Sequence, residues 1–333
     1  MIKMSINYKK HFLLEIFMRY FWILLLTLIS ISCHKTNTQI TAIKGIDSKQ
    51  YITVLGTAQD GGYPHIGCQK MCCENYYNGT NTEKSIVSLG LIDLKNNQKW
   101  LFDATPDMHT QLAELEQNHL KKETIIDGVF LTHAHIGHYT GLMYFGREAL
   151  GKKDIPVYAM PKMKTYLQNN GPWSQLVKLK NIKLKSLQRD STMLLNSNLK
   201  VTPFIVPHRD EFSETVGYKI QGNKKSALFI PDIDKWEKWE NSIIKEVEKV
   251  DYAFVDATFL NQFEVKRAMS EVPHPFIEET INLFKNETLA TKNKIIFIHF
   301  NHSNPALQEN SDVRKEIEKL GFNFANEGQN YAL

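Results

Sequence analysis

Residues 127 to 138 read DGVFLTHAHIGH, an apolar run that leads directly into three histidines. The apolar run predicts a short buried strand, and the histidines follow it in a loop. His133 and His135 are two residues apart, so in extended backbone their side chains point the same way. His138 follows a turn that Gly137 favours, because glycine has wide conformational freedom. The pattern predicts a cluster of imidazoles at the end of a strand.

Three further polar residues lie just past apolar strands in the second half of the chain. His208 comes after FIV, Asp232 after LFI, and His299 after IIFI. Such residues at strand ends are typical of sites in α/β proteins. Four separate strands that end this way make a coincidence of structural residues a poor explanation. We therefore expect a metal site with six ligands: His133, His135, His138, His208, Asp232 and His299.

The types of ligand restrict the metal. His133, His135, His208 and Asp232 give one near-tetrahedral set, and imidazole with carboxylate suits Zn²⁺, Mn²⁺ or Fe²⁺. A second ion would use Asp232 as a bridge together with His138 and His299. We thus predict one or two active-site ions, with Asp232 and His138 as the residues that act in catalysis.

The composition of the chain is that of a globular protein. It has 333 residues, of which 42% are hydrophobic and 23% charged, and a net charge of +4. Acidic and basic residues are interspersed, so the charge does not indicate nucleic-acid binding, and we expect a small-molecule substrate. From Tyr51 onward, strands alternate with helices without a break in composition. This order predicts two sheets with helices on both outer faces.

The N-terminal segment has the features of an export signal. Basic residues precede YFWILLLTLISI, an apolar run of 12 residues that is too short for a span of roughly 20 helical residues. A small residue immediately before Cys33 resembles a bacterial lipobox. This resemblance implies a lipoprotein signal peptide over 1–33, a polar tether over 34–50, and a membrane anchor through lipidated Cys33 on the periplasmic or cell-surface side. A signal anchor that stays attached is the alternative, and a start at Met18 would give a signal of more usual length.

The remaining cysteines lie together in GCQKMCC as Cys68, Cys72 and Cys73. An odd number of cysteines cannot all form disulfides within one chain. Three thiols within six residues suit a metal ion, provided that a fourth ligand comes from elsewhere. A vicinal disulfide or free thiols are the alternatives.

The order of these motifs resembles the metallo-β-lactamase superfamily. The resemblance runs from Tyr51 to the C-terminus and includes HxHxxH after a strand, the later histidine, aspartate and histidine, and DAT at 103–105. It implies a four-layer αββα metallo-β-lactamase sandwich over 51–333. It also implies a metallo-hydrolase in which a metal-activated water attacks the substrate.

A closer pattern is similar to the family of pyrroloquinoline-quinone biosynthesis protein B. The similar stretches include VLGTAQDGGYPHIGC, FDATPDMHTQL, VPHRDEFSETVGYKI and FIHFNHSNPAL. Because all three loop histidines are kept, the chain also resembles the phosphodiesterases of the phosphonate pathway. Those enzymes carry a structural zinc on three cysteines and one histidine. Carried over to this sequence, that zinc site would consist of Cys68, Cys72, Cys73 and His302.

One residue departs from the superfamily pattern. Where HxHxDH has an aspartate that binds the second metal, this chain has Gly137. The second site should therefore be weakened, unless Asp60 or Asp256 replaces the missing carboxylate. For Asp256, a bracing role at its strand end is the favoured interpretation.

Three functions agree with these motifs. The first is a metal-dependent hydrolase, with a phosphodiester as the favoured substrate. The second is an oxidative biosynthetic enzyme with iron in the site, and the third is a non-catalytic metal-binding protein. Retention of six ligand-type residues favours an enzyme. His65, His109 and His274 are further candidates for contact with the substrate.

Overall fold

The computed structural model describes residues 48–264 and 268–333, without the side chain of Met269. The predicted signal peptide, Cys33 and all but the last residues of the tether lie outside these residues. Among the described residues, no helix is both long and apolar enough to cross a membrane. The first strand begins at Gln50, one residue before the expected start of the domain.

The described part of the chain forms two seven-stranded sheets. The strands are β1 Gln50–Gly56, β2 Ser88–Asp93, β3 Gln98–Phe102, β4 Gly128–Phe130, β5 Ile155–Ala159, β6 Ile182–Ser186, β7 Met193–Leu194, β8 Lys200–Ile205, β9 Val216–Gln221, β10 Ser226–Ile230, β11 Tyr252–Asp256, β12 Ile295–Ile298, β13 Asn323–Phe324 and β14 Asn330–Ala332. The order is β14-β1-β2-β3-β4-β5-β6 in the first sheet and β13-β12-β11-β10-β9-β8-β7 in the second. Each sheet is mixed, with β3 to β6 parallel in the first and β10 to β13 parallel in the second.

Helices cover the outer faces of both sheets. The helices are α1 Met71–Tyr77, α2 Met108–Glu114, α3 Ile136–Tyr139, α4 Pro161–Asn169, α5 Trp173–Lys178, α6 Ile243–Glu248, α7 Ile277–Leu283, α8 Leu289–Lys292 and α9 Asp312–Lys319. The side chain of Ser311 caps α9 by accepting a hydrogen bond from the backbone N–H of Arg314 at 3.2 Å.

Alternation along the strands produces the layers. In β10, Phe229 packs between the two sheets, whereas its neighbours Leu228 and Ile230 pack against the outer helices. In β4, Phe130 likewise lies between the sheets and Val129 faces outward. Three hydrophobic clusters result, one for each interface between four layers. The predicted αββα sandwich is confirmed.

Two stretches whose residues favour a helix form helical structure over only part of their length. The stretch TGLMYFGREALG forms only a 3-10 turn over Thr140–Phe145, and Gly146 then takes extended backbone. The stretch WEKWENSIIKEVEKV breaks between a 3-10 turn and α6 because two buried indoles form tertiary hydrogen bonds. Trp236 donates to Thr280 Oγ1 at 2.9 Å, and Trp239 donates to the carbonyl of Ile205 at 2.8 Å. In the second stretch, tertiary contacts outweigh helix propensity.

Candidate metal centre

The six predicted ligands come together where strands of both sheets end. Their ligand atoms form two groups, and within each group the atoms lie within 4.8 Å of one another. The first group is His133, His135, His208 and Asp232. The second is Asp60, His138, Asp232 and His299. Asp232 belongs to both groups and lies where a bridging ligand is required.

Distances in the first group suit a single ion. Asp232 has Oδ2 at 3.3 Å from Nε2 of His133 and Oδ1 at 3.3 Å from Nε2 of His208. Nδ1 of His135 lies 2.8 Å from Nε2 of His133. Bond lengths to zinc of about 2.0–2.2 Å place tetrahedral donors about 3.3 to 3.6 Å apart. Two of the three separations thus agree with a tetrahedral site, and the third is shorter.

The second group has similar dimensions. Nε2 of His138 lies 3.1 Å from Asp60 Oδ1 and 3.4 Å from Asp232 Oδ2. Nε2 of His299 lies 3.6 Å from Asp232 Oδ2 and 4.0 Å from Asp60 Oδ1. The sequence left open whether Asp60 or Asp256 replaces the carboxylate missing at Gly137. In the structure, Asp60 is the one that lies beside His138.

Unpaired polar atoms support a fit to metal ions. Five buried side-chain atoms that face these groups have no hydrogen-bond partner among the described residues. They are Asp60 Oδ1, His138 Nε2, His208 Nε2, Asp232 Oδ1 and His299 Nε2. A buried polar atom without a partner costs about 1–3 kcal/mol, so their convergence is explained by a cation that would coordinate them.

Asp103 braces the histidines of the first sheet. Its Oδ2 accepts a hydrogen bond from Nδ1 of His138 at 2.8 Å, and both its oxygens lie 2.9 Å from the donating hydroxyl of Thr132. The Thr132 oxygen in turn lies 3.0 Å from Nδ1 of His133. With their Nδ1 atoms held in this way, both imidazoles direct Nε2 into the centre, as is common for metal-binding histidines.

Asp256 braces the second sheet in the same way. Its Oδ1 accepts a hydrogen bond from the hydroxyl of Thr258 at 2.7 Å. The oxygen of that Thr258 hydroxyl lies 2.8 Å from Nδ1 of His299. Its Oδ2 lies 2.8 Å from Nδ1 of His274. These contacts agree with the bracing role that the sequence favoured for Asp256. They direct Nε2 of His299 toward Asp232.

Backbone strain accompanies the braces. Asp103 has a φ of 69° and His299 a φ of 68°, which is uncommon for residues other than glycine. Each such residue costs about 1–3 kcal/mol and persists only where the surrounding structure holds it. The strain therefore lies at the strand ends where a ligand and a brace must be positioned.

Mutual charges set the ionisation of the centre. Burial alone would raise the pKa of Asp232, but the surrounding histidines, led by His208, hold it well below its usual range. Burial would likewise raise the pKa of Asp60, but the adjacent imidazole of His138 lowers it. Both carboxylates are thus ionised, which is the form that binds metal.

The three additional histidines have different surroundings. His274 is buried with Nδ1 at 3.1 Å from Asp232 Oδ1, so it belongs to the centre. The carboxylates of Asp256 and Asp232 outweigh burial and raise the pKa of His274 to about 10. The ring of His65 lies 4.2 Å from that of His302, and the ring of His109 lies 5.4 Å from that of Tyr144. Neither of these two histidines belongs to the metal-ligand groups of the described residues.

The cysteines form a separate cluster with His302. The Sγ atoms of Cys68, Cys72 and Cys73 and a ring nitrogen of His302 lie within 4.8 Å of one another. The three cysteines carry no disulfide, and Sγ of Cys68 lies 3.8 Å from Sγ of Cys72. A tetrahedral zinc with Zn–S bonds of about 2.3 Å requires nearly the same separation, about 3.8 Å. Burial, His65 and Lys70 lower the pKa of His302 to about 4, which keeps it neutral and able to bind metal.

Known proteins resemble this chain in sequence and in fold. Residues 98–300 match the family model described as Beta-lactamase superfamily domain. Coenzyme PQQ synthesis protein B of Gluconobacter oxydans is 25% identical over 306 residues, which cover 85% of this chain and 98% of that protein. The crystal structure of Zn²⁺-bound PqqB from Methylobacterium extorquens has a TM-score of 0.70 at 21% identity, and the match covers 85% of this chain and 100% of that one. A diphosphatase from the PhnP family has a TM-score of 0.60 at 20% identity, over 85% of this chain and 96% of that one.

Proposed function

Because this chain belongs to the beta-lactamase superfamily and has its metallo-β-lactamase fold, we propose that it is a metal-dependent hydrolase that cleaves phosphodiesters. The observation that carries the proposal is the pair of four-donor groups that share Asp232. Two adjacent ions in such groups can hold both the attacking and the leaving oxygen of a displacement at phosphorus. The site would take Zn²⁺, Mn²⁺ or Fe²⁺, and the cysteine cluster would take a structural Zn²⁺.

The residues of the centre have distinct tasks. His133, His135 and His208 would hold one ion, and Asp232 would link it to a second. Ions bound there would supply Lewis acidity and a water whose pKa is lowered from 15.7 toward about 7. The second group, with His138, would fix the position of the second ion. Asp103 holds the imidazole of His138 directly and Asp256 holds that of His299 through Thr258, so these donors are preorganised before substrate arrives.

The pairing of the two groups of ligands favours a phosphodiester as the substrate. A bridged pair of sites is typical of phosphatases and nucleases. The structural similarity to a diphosphatase of the PhnP family gives the same indication. A phosphodiester has two esterified oxygens and one negative charge, which two cations can neutralise while one ester bond breaks.

Hydrolysis of chromogenic substrates tests the proposal. Purified protein should cleave bis(p-nitrophenyl) phosphate in the presence of Mn²⁺ or Zn²⁺, and faster than it cleaves p-nitrophenyl acetate. The double substitution His133→Ala and His208→Ala should abolish cleavage and remove metal, measured by mass spectrometry, while circular dichroism stays unchanged. Cleavage that survives this substitution, or a wild-type protein inactive on every ester tested, would contradict the proposal.

A second candidate function rests on similarity along the whole chain. Coenzyme PQQ synthesis protein B of Gluconobacter oxydans matches over 98% of its length. The alternative is therefore an oxidative biosynthetic enzyme with iron in the first group. Iron as the metal that co-purifies, with substrate-dependent oxygen uptake and no ester cleavage, would favour it over the hydrolase.

We also propose that the enzyme works on the outer side of a membrane, anchored through lipidated Cys33. The support is the lipobox-like sequence before this residue. Labelling cells with a radioactive fatty acid should mark the wild-type protein but not a Cys33→Ala variant. Equal labelling of both proteins would exclude Cys33 as the anchor.

A further inference from the structure

The loop after β1 provides a carboxylate to the second group of ligands, although the metal-binding loop after β4 lacks one. Asp60 lies in this loop, and its Oδ1 is 3.1 Å from Nε2 of His138. Building on the proposed function, we infer that Asp60 is the carboxylate ligand of a second ion. It would replace the aspartate that the superfamily pattern has at the position of Gly137.

Backbone hydrogen bonds fix the loop that carries Asp60. The N–H of Gln59 donates to the carbonyl of Phe300 at 2.8 Å, and the N–H of Phe300 donates to the carbonyl of Thr57 at 2.8 Å. Ala58 also forms a bridge with Phe300. Because Phe300 directly follows His299, these bonds hold Asp60 beside that ligand. The backbone immediately before Asp60 is thus fixed next to His299, which positions the carboxylate.

Asp60 is also placed as a ligand and not as a surface acid. Its side chain is 18% exposed, and its Oδ1 has no hydrogen-bond partner among the described residues. Nε2 of His138 and Nε2 of His299 point to that oxygen from two different strand ends, and both atoms are unpaired too. The ligand atoms of the second group lie within 4.8 Å of one another, and four such atoms are a complete ligand set for one tetrahedral ion.

Gly137 leaves the space that Asp60 occupies. A Cβ atom built on Gly137 would lie 2.7 Å from the Cα of Asp60 and 2.9 Å from its Cγ. It would come closer still to the carboxylate oxygen Oδ1. Because one of these contacts is to backbone, a side-chain rotation alone cannot relieve it. Asp60 and a side chain at position 137 are therefore mutually exclusive, and glycine at 137 is the partner of Asp60.

Metal binding to Asp60→Asn tests the inference without reference to activity. Asparagine keeps the shape of the side chain and removes its charge. The full-length protein is freed of metal and titrated with Mn²⁺ by calorimetry, and electron paramagnetic resonance then distinguishes paired from isolated ions. Asp107→Asn is the matched control, because Asp107 is another half-buried carboxylate, bonded to the N–H of Ile86 and outside the donor groups.

In the wild type and in Asp107→Asn we expect two Mn²⁺ ions in the histidine centre with a spin-coupled signal. In Asp60→Asn the second ion should bind at least about 100-fold more weakly, since loss of even an outer partner costs 10–100-fold in affinity. The first ion should be unchanged. Two tightly bound ions in Asp60→Asn would overturn the inference and leave the proposed function standing. One ion in both proteins would overturn the inference and would also remove the two-ion argument for a phosphodiester. A wild type that binds no ion in this centre would overturn both.

A reciprocal substitution tests the exclusion between the two positions. Gly137→Asp alone should lower the melting temperature and should not tighten the second ion. Combined with Asp60→Gly, which removes the clash with the carboxylate and leaves only the contact with the Cα of residue 60 to be relieved by a backbone shift, it should bind the second ion at least about 10-fold more tightly than Asp60→Gly alone. Tighter binding by Gly137→Asp in the wild-type background would overturn the exclusion. If the combined variant fails to fold by circular dichroism, the result of Asp60→Asn decides.

Discussion

The histidine centre and the cysteine cluster differ in the parts of the chain that supply their ligands. The histidine centre takes its donors from the ends of strands in both sheets, and most of its side chains are almost fully buried, with His133 only 1% exposed. The cysteine cluster takes three donors from residues 68–73 and one, His302, from the segment after β12. Cys68 and Cys72 are half-buried. The histidine centre therefore depends on the packing of the two sheets, whereas the cysteine cluster joins the loop after β1 to the segment after β12.

The same loop links the two sites. Residues 57–59 are bonded to Phe300, and the cysteines that follow them meet His302 two residues farther along the second segment. Asp60 lies between these two attachments. An ion on the cysteines would therefore hold the loop from one end while the bonds to Phe300 hold it from the other. With such an ion bound, the cysteine cluster would help to hold Asp60 in place from a distance.

Removing the shared ligand should have the largest effect. Asp232→Asn should lower the rate of phosphodiester cleavage by at least about 10³-fold, because neither ion would then be held for acidifying water. Metal analysis should show loss of the ions of the histidine centre and retention of the ion on the cysteines. Loss of all metal at once would mean that the histidine centre and the cysteine cluster do not bind metal independently.

Removing a brace should have a smaller effect. Asp103→Asn leaves the ligands in place but weakens the hold on His138 and Thr132. We expect the cleavage rate or the affinity for the second ion to fall by about 10–100-fold, as for other partners of metal-binding histidines. Asp256→Asn is the matched variant on the other sheet. An unchanged affinity in both variants would show that packing alone orients the imidazoles.

Removing a cysteine should change stability more than chemistry. Cys73→Ser should lose one Zn²⁺ per chain and lower the melting temperature, because the loop then loses one of its two attachments to the segment after β12. With saturating metal, the cleavage rate should change by less than about 10-fold, below the range expected for a brace. A rate as low as that of Asp232→Asn would contradict the structural role of the cluster.

A thiol reagent should distinguish the sites with the smallest disturbance. Cys68 and Cys72 are accessible enough to react, whereas His133, His138 and His299 are buried. Treatment with p-hydroxymercuribenzoate should release one Zn²⁺ per chain, detected with a chromogenic chelator, while the other ions stay bound. Release of zinc with no modified cysteine would place the accessible ion elsewhere.

Much of the fold could be predicted because it depends on local patterns. Continuous apolar runs such as those of β4 and β10 indicate strands that are buried on both faces, and these runs are visible in the sequence. The helical structure near Trp239 is interrupted although its residues favour a helix, because the hydrogen bonds of the two indoles are tertiary contacts that helix propensity does not contain. The site was predicted to the extent that its ligands follow strands, because strand ends of one sheet meet at a common edge.

The sequence by itself determined the six ligand-type residues at strand ends, the cysteine triplet and the layered fold. Only the tertiary structure decided between Asp60 and Asp256 as the carboxylate beside His138. Asp60 is far from Gly137 along the chain, and no local pattern relates the two positions. They are related because backbone hydrogen bonds to Phe300 bring the loop after β1 to within 2.7 Å of where a side chain at Gly137 would begin. Gly137 suggested a weakened second site, but the absence of a side chain there leaves room for Asp60, the ligand that we infer for that site.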